Sequence, residues 1–458
     1  MTRASELRLD ALRLRDAQAT EAAYAAIKAA RALAPDDASI AFIAAQLAFE
    51  TGRAAVQLFE RAHRLDPGNL PLIRNWAAAL AADGNETAAI SLIKGRLVDH
   101  PDWIEGHKLI TSLRLADGAD TNHMRSYATA CAAQPRNIAL WMAWFQTQSL
   151  AHNWDEALAI LDDAERFNGS RQAFTLARLF VTSESGDAAH NAHLFDAVAD
   201  VRDPGLDLCQ VRHWIRLGDP ARAMTVAQRH IGAPSANAFW PYLSLIWRLT
   251  GNAKAQWLDR PEALIKSYDL ALAPAELETL AQMLGTLHRP QRRFLEQSVR
   301  GGTQTDGPLL FHHSEPIRQV RAAITQAVAD YANALPPLDR EHPMFAPRGK
   351  EIAFAGSWSV RLAAQGHHVC HTHPMGWISS AFYVLVPPPA QCGLPPAGWI
   401  EFGKPPPELG LDLPAYTRVK PIAGRLVLFP STMWHGTMPF SDGERLTIAF
   451  DVRRPIAT

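Results

Sequence analysis

The 458-residue chain reads as an α+β protein of more than one domain, an all-α solenoid of paired helices followed by a C-terminal β barrel. Three observations predict this: two phased series of glycines and prolines in the first half, a run of short β-branched and aromatic segments in the last third, and three histidines that fall on those segments. One hydrophobic core does not serve a chain of this length, so two or three domains are expected.

In the first half Gly52, Gly84, Gly118, Gly186, Gly218 and Gly251 recur, with Asn153 in the single gap, at intervals of 32 to 35 residues. Glycine, and after it asparagine, accepts the left-handed conformation that ends a helix, so each marks a helix C-terminus. Pro35, Pro67, Pro101 and Pro135, then Gly169, Pro204 and Pro234, mark the ends of the alternate helices. Two phased series mean helix, turn, helix, turn. The period resembles that of the tetratricopeptide repeat, whose stacked helix pairs form a superhelix with a concave groove, and six or seven repeats fit between residue 18 and about 250. Alanine-rich stretches such as AAQLAFETG and RAAVQLFERAHRLDP supply small residues for close packing. Trp141, Trp144, Trp240 and Trp247 lie at helical spacing and read as core rather than groove.

Residues 252–310, with WLDRPEALIKSYDL and APAELETLAQMLGTLH, are expected to be a helical connector that closes the solenoid. Gly301, Gly302 and Thr303 lack a following Lys-Ser/Thr, which excludes a Walker-type phosphate loop. The apolar spacing over 314–335 predicts a helix across the outside of the barrel. The expected domains are therefore 1–251, the solenoid; 252–310, the connector; and 311–458, the barrel.

Beyond residue 356, SWSVRL, HHVCHTH, SSAFYVLV, GWIEFG, TRVKP, GRLVLFP, TMWHGT and RLTIAFDV are eight strand-like runs cut by Gly and Pro clusters. Eight strands suit a jelly roll. His371 and His373 stand two residues apart, so an extended chain points both to one face, and His435 supplies a third imidazole. Three protein ligands leave positions open for substrate or dioxygen, the mark of a catalytic rather than a structural metal site. In RLTIAFDV the apolar Leu446, Ile448 and Phe450 alternate with Arg445, Thr447 and Asp451, one face against a packing layer and the other into the barrel. An interior arginine requires an anionic partner, because an unpaired buried charge is costly. A bound oxoacid would satisfy it.

HTHP with SSAFYV, FPSTMWHG and the arginine ten residues after His435, together with LEQSVRGGTQT at 295–305 and SWSVRL at 357–362, resemble the 2-oxoglutarate- and Fe(II)-dependent oxygenases of the double-stranded β-helix (jelly-roll) class. Within that class the chain is similar to a bacterial family with an N-terminal tetratricopeptide-repeat region. The resemblance implies Fe(II) held by His371, His373 and His435, with His373 standing where the class carries a carboxylate. It implies 2-oxoglutarate as cosubstrate, its far carboxylate gripped bidentately by Arg445 with Thr447 beside it. Tyr383 reads either as a hydrogen-bond donor to the oxoacid or as packing, and Arg361 either as a cosubstrate or substrate contact or as a structural ion pair. His367, assigned to the strand face of His371, reads as an alternate ligand, a partner behind the ligands or an edge residue. Trp434 is expected to shape the barrel mouth.

The activity implied is oxidative decarboxylation of 2-oxoglutarate to succinate coupled to hydroxylation. A helical solenoid ahead of the barrel suggests a protein or peptide substrate bound in the repeat groove. Two other readings stay open: a non-catalytic interaction protein with a degenerate metal-binding barrel, and a cupin-like three-histidine metalloenzyme that does not use 2-oxoglutarate. The missing carboxylate favours the first of these and Arg445 opposes both. A net charge of -1 with 20% charged residues offers no basic stripe for nucleic acid. No stretch is long and apolar enough to span a bilayer. The N-terminal MTRASELRLDALRLRDA has no apolar signal core, and Cys131, Cys209, Cys370 and Cys392 are far apart without a CxxC, so a reducing, cytoplasmic setting is expected.

Overall fold

A computed structural model describes residues 2–117, 122–288, 298–305, 307–336, 339, 341–345 and 351–455. Internal contacts divide the chain into two compact units, one of Met1–Thr147 with Thr305–Arg321, the other of Gln148–His288, Glu296–Gln304 and Ala322–Thr458.

The first unit is built of antiparallel helix pairs such as Ala38–Glu50 with Val56–Leu65 and Leu70–Ala82 with Glu86–Asp99. Side chains placed just after the prolines start these helices: Asp37 accepts the Ile40 N–H at 2.9 Å and Asn69 the Leu72 N–H at 2.9 Å. Each satisfies one backbone donor that the first helical turn leaves without a partner. Alanines then let the helices close on one another. Ala41, Ala45, Ala48 and Ala62 pack round the fully buried Phe59, and Ala23, Ala30 and Ala44 round Ile27.

The glycine series ends helices as expected: Gly52, Gly84, Gly186, Gly218 and Gly251 all have positive φ, between 65° and 86°. Gly118 lies outside the described residues. In the gap the left-handed residue is His152, with φ 58°, and not Asn153, which instead opens the next helix. The cap position is set by its distance from the last helical turn, two residues after Leu150, and that count overrides residue preference. Trp141, Trp240 and Trp247 are buried, and Trp144 is half-buried.

In the second unit, helices over Trp154–Asn168, Gln172–Glu184, Pro204–Arg216, Pro220–Gln228 and Ala236–Leu249 precede nine strands. The strands are β1 (Lys266–Asp269), β2 (Val299–Gln304), β3 (Phe354–His368), β4 (Ile378–Leu385), β5 (Ile400–Phe402), β6 (Thr417–Val419), β7 (Arg425–Pro430), β8 (His435–Thr437) and β9 (Arg445–Val452). A six-stranded sheet runs β1-β7-β4-β9-β3-β2 and a three-stranded sheet β6-β5-β8, with antiparallel neighbours in both. Tyr383, Val427 and Phe429 from the large sheet pack with Ile400 and Phe402 from the small one. A core is thus shared between two faces while the hydrogen-bond ladders stay separate, so the described sheets do not close into a barrel.

Both edges of the large sheet, β1 and β2, come from the segment read as a helical connector. The helix Pro274–Leu287 between them packs on β4. The helix expected over 314–335 is Glu315–Ala334, and its Tyr331 hydroxyl donates to the Leu264 carbonyl at 2.7 Å. HHVCHTH does not form a strand of its own. Its first two residues complete the 15-residue β3, and His371 meets only an isolated bridge to His435.

Trp434 does not shape a mouth. It is 5% exposed and belongs to the helical cluster; its indole N–H donates to the Pro241 carbonyl at 2.9 Å, and Tyr242 meets its ring edge-on. Arg248 of the same helix, Ala236–Leu249, donates to the carbonyls of Gly403 and Pro414. The last long repeat helix and the small sheet therefore share one core.

Candidate metal centre

The three histidines meet because the backbone forces them together. His371 and His435 exchange both N–H···O=C bonds, at 2.9 and 3.0 Å, and residues paired in this way project their side chains to one face. Their ring centroids lie 4.3 Å apart. Two residues on, His373 donates its N–H to the Ser431 carbonyl at 2.8 Å, which holds its ring 5.0 Å from His371 and 5.2 Å from His435. One ligand atom from each lies within 4.8 Å of the others. Gly376 closes the turn after His373. A Cβ there would stand 2.5 Å from the Ser431 Oγ and 3.3 Å from the Asp451 Cβ, so only glycine lets these segments approach.

Hydrogen bonds fix which nitrogen faces the centre. The His371 Nδ1 is 2.7 Å from the Val369 carbonyl, the His435 Nδ1 2.9 Å from the Met433 carbonyl, and the His373 Nδ1 2.9 and 2.8 Å from the two Asp451 carboxylate oxygens. Carbonyls and carboxylates only accept, so each Nδ1 carries a proton and each Nε2 is the nitrogen left for the centre. Burial, and then the neighbouring His373, pushes His371 down to about 3; burial and the other two imidazoles push His435 well below the usual histidine range. Neutral imidazoles with anchored Nδ1 atoms are the form in which histidine binds a metal. The donor set therefore fits a divalent transition metal.

Arg445, on β9, is 2% exposed. It donates to the Gly398 carbonyl at 2.7 Å and to the Thr437 hydroxyl at 3.0 Å, while its Nε has no partner. Among the described residues no carboxylate pairs with it. Tyr383 stands opposite Thr447 across the β4–β9 ladder, and its hydroxyl is buried and likewise without a partner. Burial raises the Tyr383 pKa and lowers that of Arg445, and each partly offsets the other's shift. A buried cation without a counter-ion beside an unsatisfied hydroxyl fits a carboxylate ligand. Thr447 shares the β9 face of Arg445 and donates to the Val360 carbonyl at 3.4 Å.

Arg361 does not join this group. It lies opposite Leu446 in the β3–β9 ladder, and alternation puts Leu446 on the other face from Arg445 and Thr447. Its guanidinium holds Glu444 through two bonds of 2.8 and 2.5 Å, which is the structural ion pair. His367 is also elsewhere, paired with Arg300 across the β2–β3 ladder. The chain leaves the extended form after His368, so strict alternation fails there. His368 is the residue brought alongside, its ring 6.0 Å from His371. The Ser298 Oγ lies 3.0 Å from the His368 Nδ1 and 3.3 Å from the His371 Nε2.

Asp451, Ser379, Ser298 and His368 were not singled out from the sequence. For Asp451 a signal existed, since it falls on the same face of RLTIAFDV as Arg445 and Thr447. Ser379 is its opposite number on β4 and donates to it at 2.6 Å.

Residues 356–451 match the protein family described as "Putative 2OG-Fe(II) oxygenase". These residues run from β3 into β9 and include the three histidines and Arg445. No curated protein matches the chain. Among solved structures, a prolyl-4-hydroxylase from Pseudomonas putida is 15% identical, covering 42% of this chain and 93% of its own, with a TM-score of 0.30. HygX from Streptomyces hygroscopicus, solved with nickel and 2-oxoglutarate, is 11% identical over 43% of this chain and 85% of its own, TM-score 0.29. A tetratricopeptide repeat protein from Parabacteroides merdae is 15% identical over 55% of this chain and 88% of its own, TM-score 0.32. No helix among the described residues is long and apolar enough to cross a membrane.

Proposed function

We propose that the chain is a 2-oxoglutarate- and Fe(II)-dependent dioxygenase that hydroxylates a protein or peptide side chain recruited by its helical repeats. The observation that carries this reading is the pairing of three Nδ1-anchored imidazoles with a buried arginine that has no counter-ion among the described residues. In this reading residues 311–458 form the catalytic domain, a jelly roll whose large sheet is completed by strands from 252–310, and residues 1–251 recruit substrate.

Held by His371, His373 and His435, iron would supply the dioxygen activation that couples decarboxylation of 2-oxoglutarate to oxidation of a C–H bond. The protein's own part is placement. His371, His373 and His435 present Nε2 lone pairs, and the Val369 and Met433 carbonyls and the Asp451 carboxylate keep the rings from turning. The Arg445 guanidinium takes the far carboxylate of the cosubstrate, its Nε and the Tyr383 hydroxyl gaining the partners they lack, with Thr447 alongside. The Phe429 ring packs 4.6 Å from His435 and the Trp358 ring 5.8 Å from His373, between centroids, and both restrict how the ligand rings can turn.

Recruitment by the repeats is supported by a cavity of about 690 Å³ at the last long repeat helix, lined by Trp240, Trp247, Trp257, Lys254 and Arg454. A second, much smaller cavity shares Trp240 and His342 with it and is also lined by Met433, two residues from His435. A cytoplasmic location agrees with four cysteines that are all free thiols.

The test is anaerobic titration of the metal-free chain with Fe(II) and 2-oxoglutarate, following the visible charge-transfer absorption of the chelate. The reading requires a band that is lost in His435→Ala and in Arg445→Ala. A competing reading, a three-histidine metalloenzyme without 2-oxoglutarate, draws on the neutral donor at His373; it requires metal binding that neither 2-oxoglutarate nor Arg445→Ala alters.

A further inference from the structure

We propose that Asp451 is a positioning residue of the metal centre: acting through the His373 Nδ1, it supplies from behind the ligand the negative charge that His373 lacks as a ligand. This rests on the metal-centre reading above and extends it to a residue that reading used only as an anchor.

Four observations carry it. Both carboxylate oxygens of Asp451 lie within hydrogen-bond reach of the His373 Nδ1, at 2.9 and 2.8 Å, whereas the Nδ1 atoms of His371 and His435 are held by neutral carbonyls. The Asp451 side chain is 14% exposed, and among the described residues no lysine or arginine pairs with it. Ser379 donates to Asp451 Oδ1 at 2.6 Å and is itself 2.9 Å from Ser431, whose carbonyl holds the His373 N–H. Asp451 and Arg445 stand on one face of β9, so one strand carries both the carboxylate behind the ligands and the guanidinium for the cosubstrate.

A cation at the Nε2 draws electron density from the ring and makes the Nδ1–H a better donor, so the bond to Asp451 is stronger in the metal-bound chain than in the metal-free one. By linkage, an interaction that strengthens on binding tightens the metal. A divalent ion with three imidazoles and one carboxylate behind them also has the same net charge as one with two imidazoles and a directly bound carboxylate. The chain thus keeps the charge and moves it outward by one residue. Direct ligation by a carboxylate leaves nothing for a second carboxylate to supply, which makes the idea testable by transposing the charge.

The experiment measures Co(II) affinity and the Co(II) visible spectrum of the full-length, metal-stripped chain, with thermal melting of the metal-free form alongside. Asp451→Asn keeps the shape and removes the charge, and it is expected to weaken Co(II) binding about 10–100-fold. Ser379→Ala is expected to weaken it less, by only a few-fold. In a His373→Asp background, where the charge is bound directly, the same Asp451→Asn change is expected to cost less than about 2-fold. The proposal is overturned if Asp451→Asn binds as the parent does with an unchanged spectrum. It is equally overturned if the change costs the same factor in both backgrounds while lowering the metal-free melting temperature, since Asp451 would then be scaffold alone. A parent chain that binds no Co(II) would remove the metal-centre reading and this proposal together; normal parent binding with an indifferent Asp451→Asn removes only the latter.

Discussion

Two regions of the molecule bury histidines, and they bury them differently. In the helical region His213 is fully buried, stacks on Phe195 at 4.1 Å between centroids, and has no hydrogen-bond partner at either nitrogen. Burial, with Arg216 nearby, pushes it down to about 4. Between the sheets His371 is pushed down to about 3, also chiefly by burial. A depressed pKa is therefore common to both regions and marks neither as functional. What separates them is anchoring and convergence. His213 serves as a flat ring in a core, whereas each of His371, His373 and His435 has its Nδ1 held by an acceptor and its Nε2 free of any carbonyl or carboxylate. A ligand histidine is thus recognised by the bond on its far nitrogen, not by how deeply it is buried.

Removing a ligand should break the contrast most completely. His435→Ala is expected to lower metal affinity by more than the roughly 10–100-fold that loss of an outer-sphere partner costs. Calorimetric titration with Co(II) measures this directly, and binding within 10-fold of the parent would contradict it. Phe59→Ala does the opposite, emptying the core of a helix pair. It is expected to cost about 3–5 kcal/mol in urea unfolding of the unit that holds it while leaving metal affinity unchanged.

Arg445→Met sharpens the contrast between stability and function. Loss of a buried charge pair with 2-oxoglutarate is expected to weaken cosubstrate binding by about 2–5 kcal/mol, or at least ~30-fold. Without cosubstrate the same change should leave melting unchanged or raise it, because the arginine it removes has no counter-ion among the described residues. Melting with and without 2-oxoglutarate reads both effects.

The smallest effect concerns His213. His213→Phe keeps the stacking ring, so a stability change within about 1.5 kcal/mol and no change in metal affinity are expected. The pH response follows from the direction of the shifts. His213, His288 and His342 are each pushed by burial from the ordinary 6.5 to about 4, so the unfolded chain takes up their protons first as pH falls. Their contribution to stability is complete above about pH 6.5 and is lost as pH falls toward 4. Urea midpoints of the metal-free chain should drop across that window, and less steeply in His213→Phe.

How far the sequence could be read depended on whether the signal was local. Helix pairs are closed by contacts a few tens of residues apart, so the Gly and Pro phasing announced them, and even the misassigned cap at Asn153 missed by one residue. The histidine spacing and the arginine on β9 were legible for the same reason, each lying within one strand or bridge. Sheet edges were not. Lys266–Asp269 and Val299–Gln304 are strands only because β7 and β3 wait for them, and nothing in KSYD or VRGGTQ announces a partner more than fifty residues away. Arg361 kept two readings, a pocket contact and an ion pair, because its neighbours alternate cleanly and only the ladder register decides which face looks inward. His368 and not His367 lies beside His371, because the strand ends before the ligand. Asp451 was visible on the correct face, but its role required the position of His373, which only the turn at Gly376 determines.

One divalent ion is expected at the Nε2 atoms of His371, His373 and His435, with 2-oxoglutarate reaching Arg445. Anomalous diffraction at the iron edge, from crystals grown anaerobically with Fe(II) and 2-oxoglutarate, tests it most directly. The account predicts a single strong peak between the three imidazoles and a carboxylate on the Arg445 guanidinium; a peak elsewhere, or an ion at the histidines with Arg445 still unpaired, would contradict it.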